Sequence, residues 1–291
     1  KYMESVWWLL GQLYEKNLLY KGYTIQPYSP KAGTGLSSHE LNQPGCYRDV
    51  TDTTVVAQFR IKDGEKLPFD NVTNAIETNS NSSLLAWTTT PWTLPSNTAL
   101  CVGPKIEYVL VQSFNQYTNE PISVILAKNL LSYQFSKGYQ QVESREELNQ
   151  YKAGDKTIPY IVAGECLGSD LIGIRYDQLL PYTLPAEKPE EAFRVIGGDF
   201  VTTEDGTGIV HIAPTFGADD AKVASDSGVP AMLVKDEKGN LVPLVDLQGK
   251  FRPEVGELAG VYVKNEYYNE GEAPEKSVDV QIAIKLKTEN K

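Results

Sequence analysis

Leu84-Leu85-Ala86-Trp87-Thr88-Thr89-Thr90-Pro91-Trp92-Thr93-Leu94-Pro95-Ser96-Asn97-Thr98-Ala99-Leu100-Cys101-Val102 reads as two short strands joined by a loop that two prolines stiffen. The same punctuation recurs outward from it. Thr53–Ile61, Tyr108–Ser113, Ile158–Ala163, Phe193–Ile196 and Gly208–Ile212 all read as strands bounded by turn residues. Asp219–Ser227 reads as a short helix, and Ala231–Leu244 as a hairpin closed near Lys238-Gly239-Asn240. Many short strands with few helices predict an α+β fold, mainly β. Such strands point to a barrel or a sandwich; the architecture expected here is strand-rich and barrel-like, with peripheral helices and hairpins.

The two ends read differently. In Tyr2–Leu19 the residues Val6, Trp7, Leu9, Leu10, Leu13 and Leu18 recur at helical spacing, with Gly22 as a stop signal, so a helix with one buried face is expected. Asn265–Lys291 opens with acidic and Gly-containing loop residues and continues into a strand-like Val278–Leu286. The abrupt helical start reads as that of a fragment of a longer protein.

Composition excludes several classes. Of the 291 residues, 41% are hydrophobic and 22% charged, as in ordinary globular chains, so a packed core is expected in place of disorder. A formal net charge of −11 argues against a free-standing nucleic-acid-binding module, because phosphate binding needs clustered Lys and Arg. Cys46, Cys101 and Cys166 are widely spaced, and only two histidines are present, so neither a disulfide framework nor a metal site is expected. No secretory signal or membrane-length apolar run occurs, which fits a reducing, cytoplasmic setting. Asn71-Val72-Thr73 and Asn81-Ser82-Ser83 match the glycosylation pattern, but without secretion they read as polar loop residues.

Two segments carry chemistry. In the first, Thr88, Thr89, Thr90 and Thr93 set four hydroxyls on a proline-stiffened loop, able to bind a polar ligand or orient water. Equally, those hydroxyls suit local backbone bonding at a strand end. The second runs Asp205-Gly206-Thr207-Gly208-Ile209-Val210-His211-Ile212-Ala213-Pro214-Thr215-Phe216-Gly217-Ala218-Asp219-Asp220. A glycine-flexed turn feeds a strand bearing His211, and a loop ends in paired carboxylates. It is no dinucleotide fingerprint, since the third glycine is missing and a strand follows. Taken alone, His211 reads as a structural strand histidine, and Asp219 or Asp220 as a helix cap.

Together the segments resemble the paired signature loops of the editing domain inserted into isoleucyl, valyl and leucyl-tRNA synthetases. Within that group Thr90-Pro91-Trp92 is similar to the isoleucyl form, where valyl and leucyl domains carry Arg, Pro and an acidic residue; His211-x-Ala213-Pro214 is similar to it too. Tyr2-Met3-Glu4-Ser5-Val6-Trp7-Trp8, Pro27-Tyr28-Ser29-Pro30 and Tyr47-Arg48-Asp49-Val50 resemble the stem leading from the catalytic domain of such an enzyme. The resemblance implies a stem over residues 1–50, an editing domain over 51–264 and a return segment over 265–291. Neither ATP-site signature of the family, His-Ile-Gly-His or Lys-Met-Ser-Lys-Ser, occurs here, so no amino-acid activation is expected.

The implied activity is proofreading by an aminoacyl-tRNA deacylase: hydrolysis of valine from mischarged tRNA(Ile), with valyl-adenylate as a further substrate and isoleucine excluded by size. A second sieve is needed because one missing methylene is worth only ~1–3 kcal/mol in a hydrophobic pocket, isoleucine against valine in the isoleucyl enzymes being the usual example. The implied partners are the aminoacylated 3′ end of tRNA(Ile) and the parent's catalytic domain, where ATP and Mg would act; no cofactor and no membrane are implied for this chain. Asp220 would accept hydrogen bonds from the α-ammonium. Thr88, Thr89 and Thr90 would hold the terminal adenosine, the carbonyl and the attacking water, supported by Thr93 and Asn97. His211 and Trp92 would shape the side-chain pocket. For the proton acceptor, neutral His211 and the free ribose hydroxyl stand as alternatives, and no triad of Ser96, His211 and Asp220 is assigned. The rival readings are a non-hydrolytic module that binds an aminoacyl end, and a valyl or leucyl type of editing domain.

Overall fold

The computed structural model describes residues 1–20, 25–69 and 82–291. Gly22, Asn71 and Asn81, singled out above, lie outside them. The nine strands of the main sheet are β1 (Val55–Arg60), β2 (Ser82–Thr88), β3 (Ala99–Val102), β4 (Glu107–Phe114), β5 (Pro121–Ala127), β6 (Tyr139–Gln141), β7 (Ile158–Leu167), β8 (Arg194–Gly197) and β9 (Ile209–Ile212), counted among the described residues. Their order is β8-β3-β9-β2-β5-β4-β7-β6, with β1 also paired to β2.

That order conceals a ring. β1 runs antiparallel to β2, from Val55 opposite Thr88 to Arg60 opposite Ser83. Just past β1, Ile61 bridges Tyr176, and the neighbouring Arg175 bridges Arg194 at the start of β8. β8 lies parallel to β3, β3 antiparallel to β9, and β9 returns to β2 through Val210 opposite Trp87. The pairings β2, β1, Arg175-Tyr176, β8, β3, β9 and back to β2 therefore close a small barrel. Closure protects these strands from presenting a free edge. β5, β4, β7 and β6 extend from β2 as a wing, starting where residues 82–84 lie parallel to residues 123–125.

Alternation along each strand sorts the side chains. Ala57, Phe59, Leu84, Ala86, Leu100, Val102, Val195 and Ile209 share the largest core with Tyr176, while Leu85, Val109, Val111 and Val124 fill a second cluster under the wing.

Two expectations, one at each end of the chain, change. α1 (Tyr2–Glu15) forms, but none of its residues is buried, and Trp7 is 71% exposed. Its apolar stripe faces nothing among the described residues. The segment from Val278 to Leu286, expected as a strand, lies within an α-helix, here α3 (Val278–Thr288) after α2 (Ala218–Asp226). Ser277 caps α3 by accepting from the Val280 N–H, and Val278, Ile282 and Leu286, spaced by four, bury one face. This last helix packs on the turn that follows β2. The hairpin forms as expected, Leu233–Lys235 against Leu241–Pro243.

Candidate active-site cleft

A cleft of about 350 Å³ opens beside the single bridge that joins β2 to β9. Its walls are residues 87–90 and Thr93 from the first signature segment, and residues 205–211, Ala213, Phe216, Gly217 and Asp220 from the second, with Phe200 and Thr202 between them. Two segments far apart in sequence, with Thr93 and His211 separated by 118 residues, thus face one another across a space of small-molecule size.

Thr88 ends β2 and is buried, whereas Thr89 and Thr90 stand exposed at the rim. The Thr90 N–H donates to Thr88 Oγ1 (3.1 Å), and the Thr88 and Thr90 hydroxyls lie 3.4 Å apart. Pro91 then starts the 3₁₀ turn Pro91–Ser96, in which the Thr93 hydroxyl donates to the Thr90 carbonyl (2.8 Å). A proline at this position has no N–H to leave unsatisfied and already holds a helical φ.

His211, on β9, is 8% exposed and has both ring nitrogens engaged. Asn97 Nδ2 lies 2.8 Å from the Ala99 carbonyl, which only accepts, so the amide nitrogen must face that carbonyl and also His211 Nδ1 (2.9 Å). Asn97 Oδ1 accepts from the hydroxyl of Tyr176 (2.7 Å) inside the barrel. Nδ1 is therefore an acceptor, the proton sits on Nε2, and Nε2 donates to Thr93 Oγ1 (2.9 Å). A directed chain results, from Tyr176 through Asn97, His211 and Thr93 to the Thr90 carbonyl. Burial lowers the His211 pKa to about 4, so the ring is neutral.

The second segment is shaped by its glycines. Gly208 (φ 73°) lies so close to β5 that a Cβ there would sit 2.3 Å from the Ala127 Cβ. Its carbonyl accepts from the buried Tyr108 hydroxyl (2.6 Å). Past β9, the Asp220 Oδ2 accepts from the Ala213 N–H (2.8 Å), while Gly217 precedes α2 with a Cβ position only 2.8 Å from Asp220 Cγ. A larger residue at 217 would push the carboxylate aside. Burial raises the Asp220 pKa, the Ala213 N–H pulls it back, and Asp219 adds a smaller upward push. Asp219 and Asp220 lie in the first turn of α2, where the helix dipole favours a carboxylate, but neither side chain caps the helix.

Of the eight residues singled out from the sequence, Thr88, Thr89, Thr90, Thr93, His211 and Asp220 line the cleft. Trp92 and Asn97 do not; they lie behind it. The Trp92 ring packs edge-on to Phe216 (4.8 Å between centroids), and the Trp92 backbone N–H donates to Asp279 Oδ1 (2.8 Å). Ser96 Oγ is buried without a partner among the described residues, so Ser96, His211 and Asp220 form no relay. Sequence reading missed Tyr176, Asp205, Phe200 and Thr202. Asp205 carried a signal, standing next to the Gly-Thr-Gly turn, whereas Tyr176 had none because its partner Asn97 is 79 residues away. No metal-binding group of His, Cys, Asp and Glu occurs among the described residues, and no helix among them is long and apolar enough to cross a membrane.

Comparison with known proteins agrees with the motifs. The chain is 55% identical to the isoleucine–tRNA ligases of Bacteroides fragilis and Cytophaga hutchinsonii, all of it aligning to 26% and 25% of their lengths. It is 39% identical to the Treponema denticola enzyme over its full length, which is 24% of that protein. The chain thus spans about a quarter of each relative. Among solved structures, GlLeuRS-CP1 superposes with a TM-score of 0.40 at 18% identity, over 81% of this chain and 84% of that one. The P. knowlesi cytosolic leucyl-tRNA synthetase editing domain superposes with a TM-score of 0.33 at 16% identity, over 50% of each chain. Membership therefore rests on sequence: the family of tRNA synthetases class I (I, L, M and V) matches residues 1–262, and the chain belongs to it.

Proposed function

We propose that the chain is the editing domain of an isoleucine–tRNA ligase and hydrolyses valine from mischarged tRNA(Ile). The observation that carries this is the cleft itself. A half-buried carboxylate, Asp220, faces a threonine-lined wall, and no Lys or Arg is among the described residues that line it. Such a site attracts an ammonium and offers hydroxyls to an ester and a water. Valyl-adenylate shares the ammonium but carries its phosphate directly on the acyl group, in a cleft without a lining cation among the described residues, whereas the tRNA ester has a neutral ribose there, so the ester is the preferred substrate.

In this reading Asp220 takes the α-ammonium of the aminoacyl group. The hydroxyls of Thr88, Thr89 and Thr90 hold the terminal adenosine, the carbonyl and the attacking water. Water's oxygen bonds to the carbonyl carbon, the bond from that carbon to the ribose oxygen breaks, and the ribose leaves as its hydroxyl. His211 is a wall, not a base, because both of its nitrogens are already engaged. The neighbouring free ribose hydroxyl is the proton relay that remains: it adjoins the leaving ribose oxygen, so it can hand its own proton to that oxygen while taking one from the attacking water. Residues 1–50 and 265–291 are read as the stem and return segments of the parent enzyme.

Asp220→Ala and Asp220→Asn test the reading with valyl-tRNA(Ile) and a non-hydrolysable valyl-adenosine analogue. A charge-assisted contact is worth about 1.5–3 kcal/mol, so a drop of about 10-fold to 100-fold in kcat/KM is expected for both variants. Weaker analogue binding is expected alongside. A native chain that binds the analogue but releases no valine, alone or within its parent enzyme, is a binding module and contradicts the proposal.

A further inference from the structure

Asp279 stands outside the cleft and outside both signature segments, yet its side chain is 1% exposed. Oδ1 accepts from the Trp92 backbone N–H (2.8 Å), and Oδ2 accepts from Lys264 Nζ (2.8 Å), which also pairs with Asp52. Burying a carboxylate is costly unless it is paired and hydrogen-bonded, and here one oxygen has a cation and the other a backbone donor. Trp92 lies in the turn between Thr90 and Thr93. Its backbone is tied to Asp279 on α3, and its ring rests on Phe216, four residues before Asp220.

We infer that Asp279 is a positioning residue for hydrolysis: it fixes the Pro91–Ser96 turn, and through it the Thr90 and Thr93 hydroxyls, with Lys264 holding its charge in place. The inference rests on the function proposed above. Any residue at 92 other than proline supplies the N–H, so the tether is read from α3 and not from the threonine loop. Asp52 extends it to the chain leading into β1, so segments from both ends of the barrel's sequence meet at Lys264, which pairs with both carboxylates.

The test is hydrogen exchange in the full chain, followed over residues 88–97 and over β3, together with valyl-ester turnover. In Asp279→Ala, exchange at Trp92 and Thr93 is expected to rise by at least about 10-fold while β3 stays protected. kcat is expected to fall by about 10-fold to 100-fold with KM within about 3-fold, since misplacing a catalytic group is felt in the chemical step. Asp279→Asn, which keeps an acceptor for the Trp92 N–H, is expected to recover most of both. Unchanged exchange at Trp92 overturns the inference, as does a rise shared equally by β3, which would make Asp279 a general stabiliser. A loosened turn with unchanged kcat overturns it too. If the native chain releases no valine, the hydrolase reading fails separately, and exchange alone decides whether Asp279 holds the turn.

Discussion

His211 has a neutral ring with one nitrogen accepting and the other donating, so a proton forced onto Nδ1 would face the Asn97 amide, itself a donor. Its pKa of about 4 lies below the ordinary 6.5, which means the unfolded chain binds that proton more tightly. The stabilisation is therefore complete above pH 6.5 and lost as pH falls towards 4, roughly 3 kcal/mol over that span. His211→Gln is expected to show a shallower loss of melting temperature between these pH values than the native chain, measured by calorimetry; equal slopes would place the acid sensitivity elsewhere. For the same reason His211 is expected to add no inflection to kcat near its ordinary pKa of 6.5. Thr93, Asn97 and His211 were legible as candidate residues, but their bonding was not. Which nitrogen carries the proton depends on an amide held from the barrel interior by Tyr176, and such a contact leaves no local trace in sequence. Trp92 was legible as a candidate but not as a tether, because its distant partner Asp279 sits on an element whose pattern reads as a strand.

That element shows where periodicity fails. Val278, Val280, Ile282, Ile284 and Leu286 alternate with other residues, as in a strand, yet every second one of them also lies on a single helical face. Ile284 is exposed while Val278, Ile282 and Leu286 are buried, and each of these three contributes about 1.5–3 kcal/mol of burial against the core. The Ser277 cap tips the balance towards helix. β5 went unread for the opposite reason: Val124, Ile125, Leu126 and Ala127 form a continuous apolar run with no alternation, as expected of a strand covered on both faces. The Gly-Thr-Gly turn was legible as a turn, though not why Gly208 is needed in it. Gly208→Ala is expected to cost about 2–3 kcal/mol in denaturant unfolding, since it adds a clash with Ala127 to an unfavourable φ. Gly239→Ala, at a similar φ with nothing within 4 Å, is expected to cost about 1 kcal/mol. Equal costs would mean that β5 yields and the turn is not pinned there.

At the scale of the whole molecule, the barrel closes through Arg175 and Tyr176, two residues in no strand. The strand count and turn spacing made a barrel or a sandwich legible, but closure by an irregular segment is a tertiary event that no local pattern encodes. The charge of −11 and the exposed α1 stripe belong with the length comparison. In the proposed reading, a chain one quarter the length of its relatives leaves the grip on tRNA to the rest of such an enzyme. In the same proposed reading, the chain's cleft supplies a carboxylate for an ammonium and a wall of hydroxyls for an ester. The most direct measurement is single-turnover release of amino acid from valyl-tRNA(Ile) beside isoleucyl-tRNA(Ile), in the chain and in the parent enzyme that the proposed reading implies. Release of valine at least about 100-fold faster than isoleucine is expected from size exclusion; equal release of both, or of neither in the parent, would contradict the editing function.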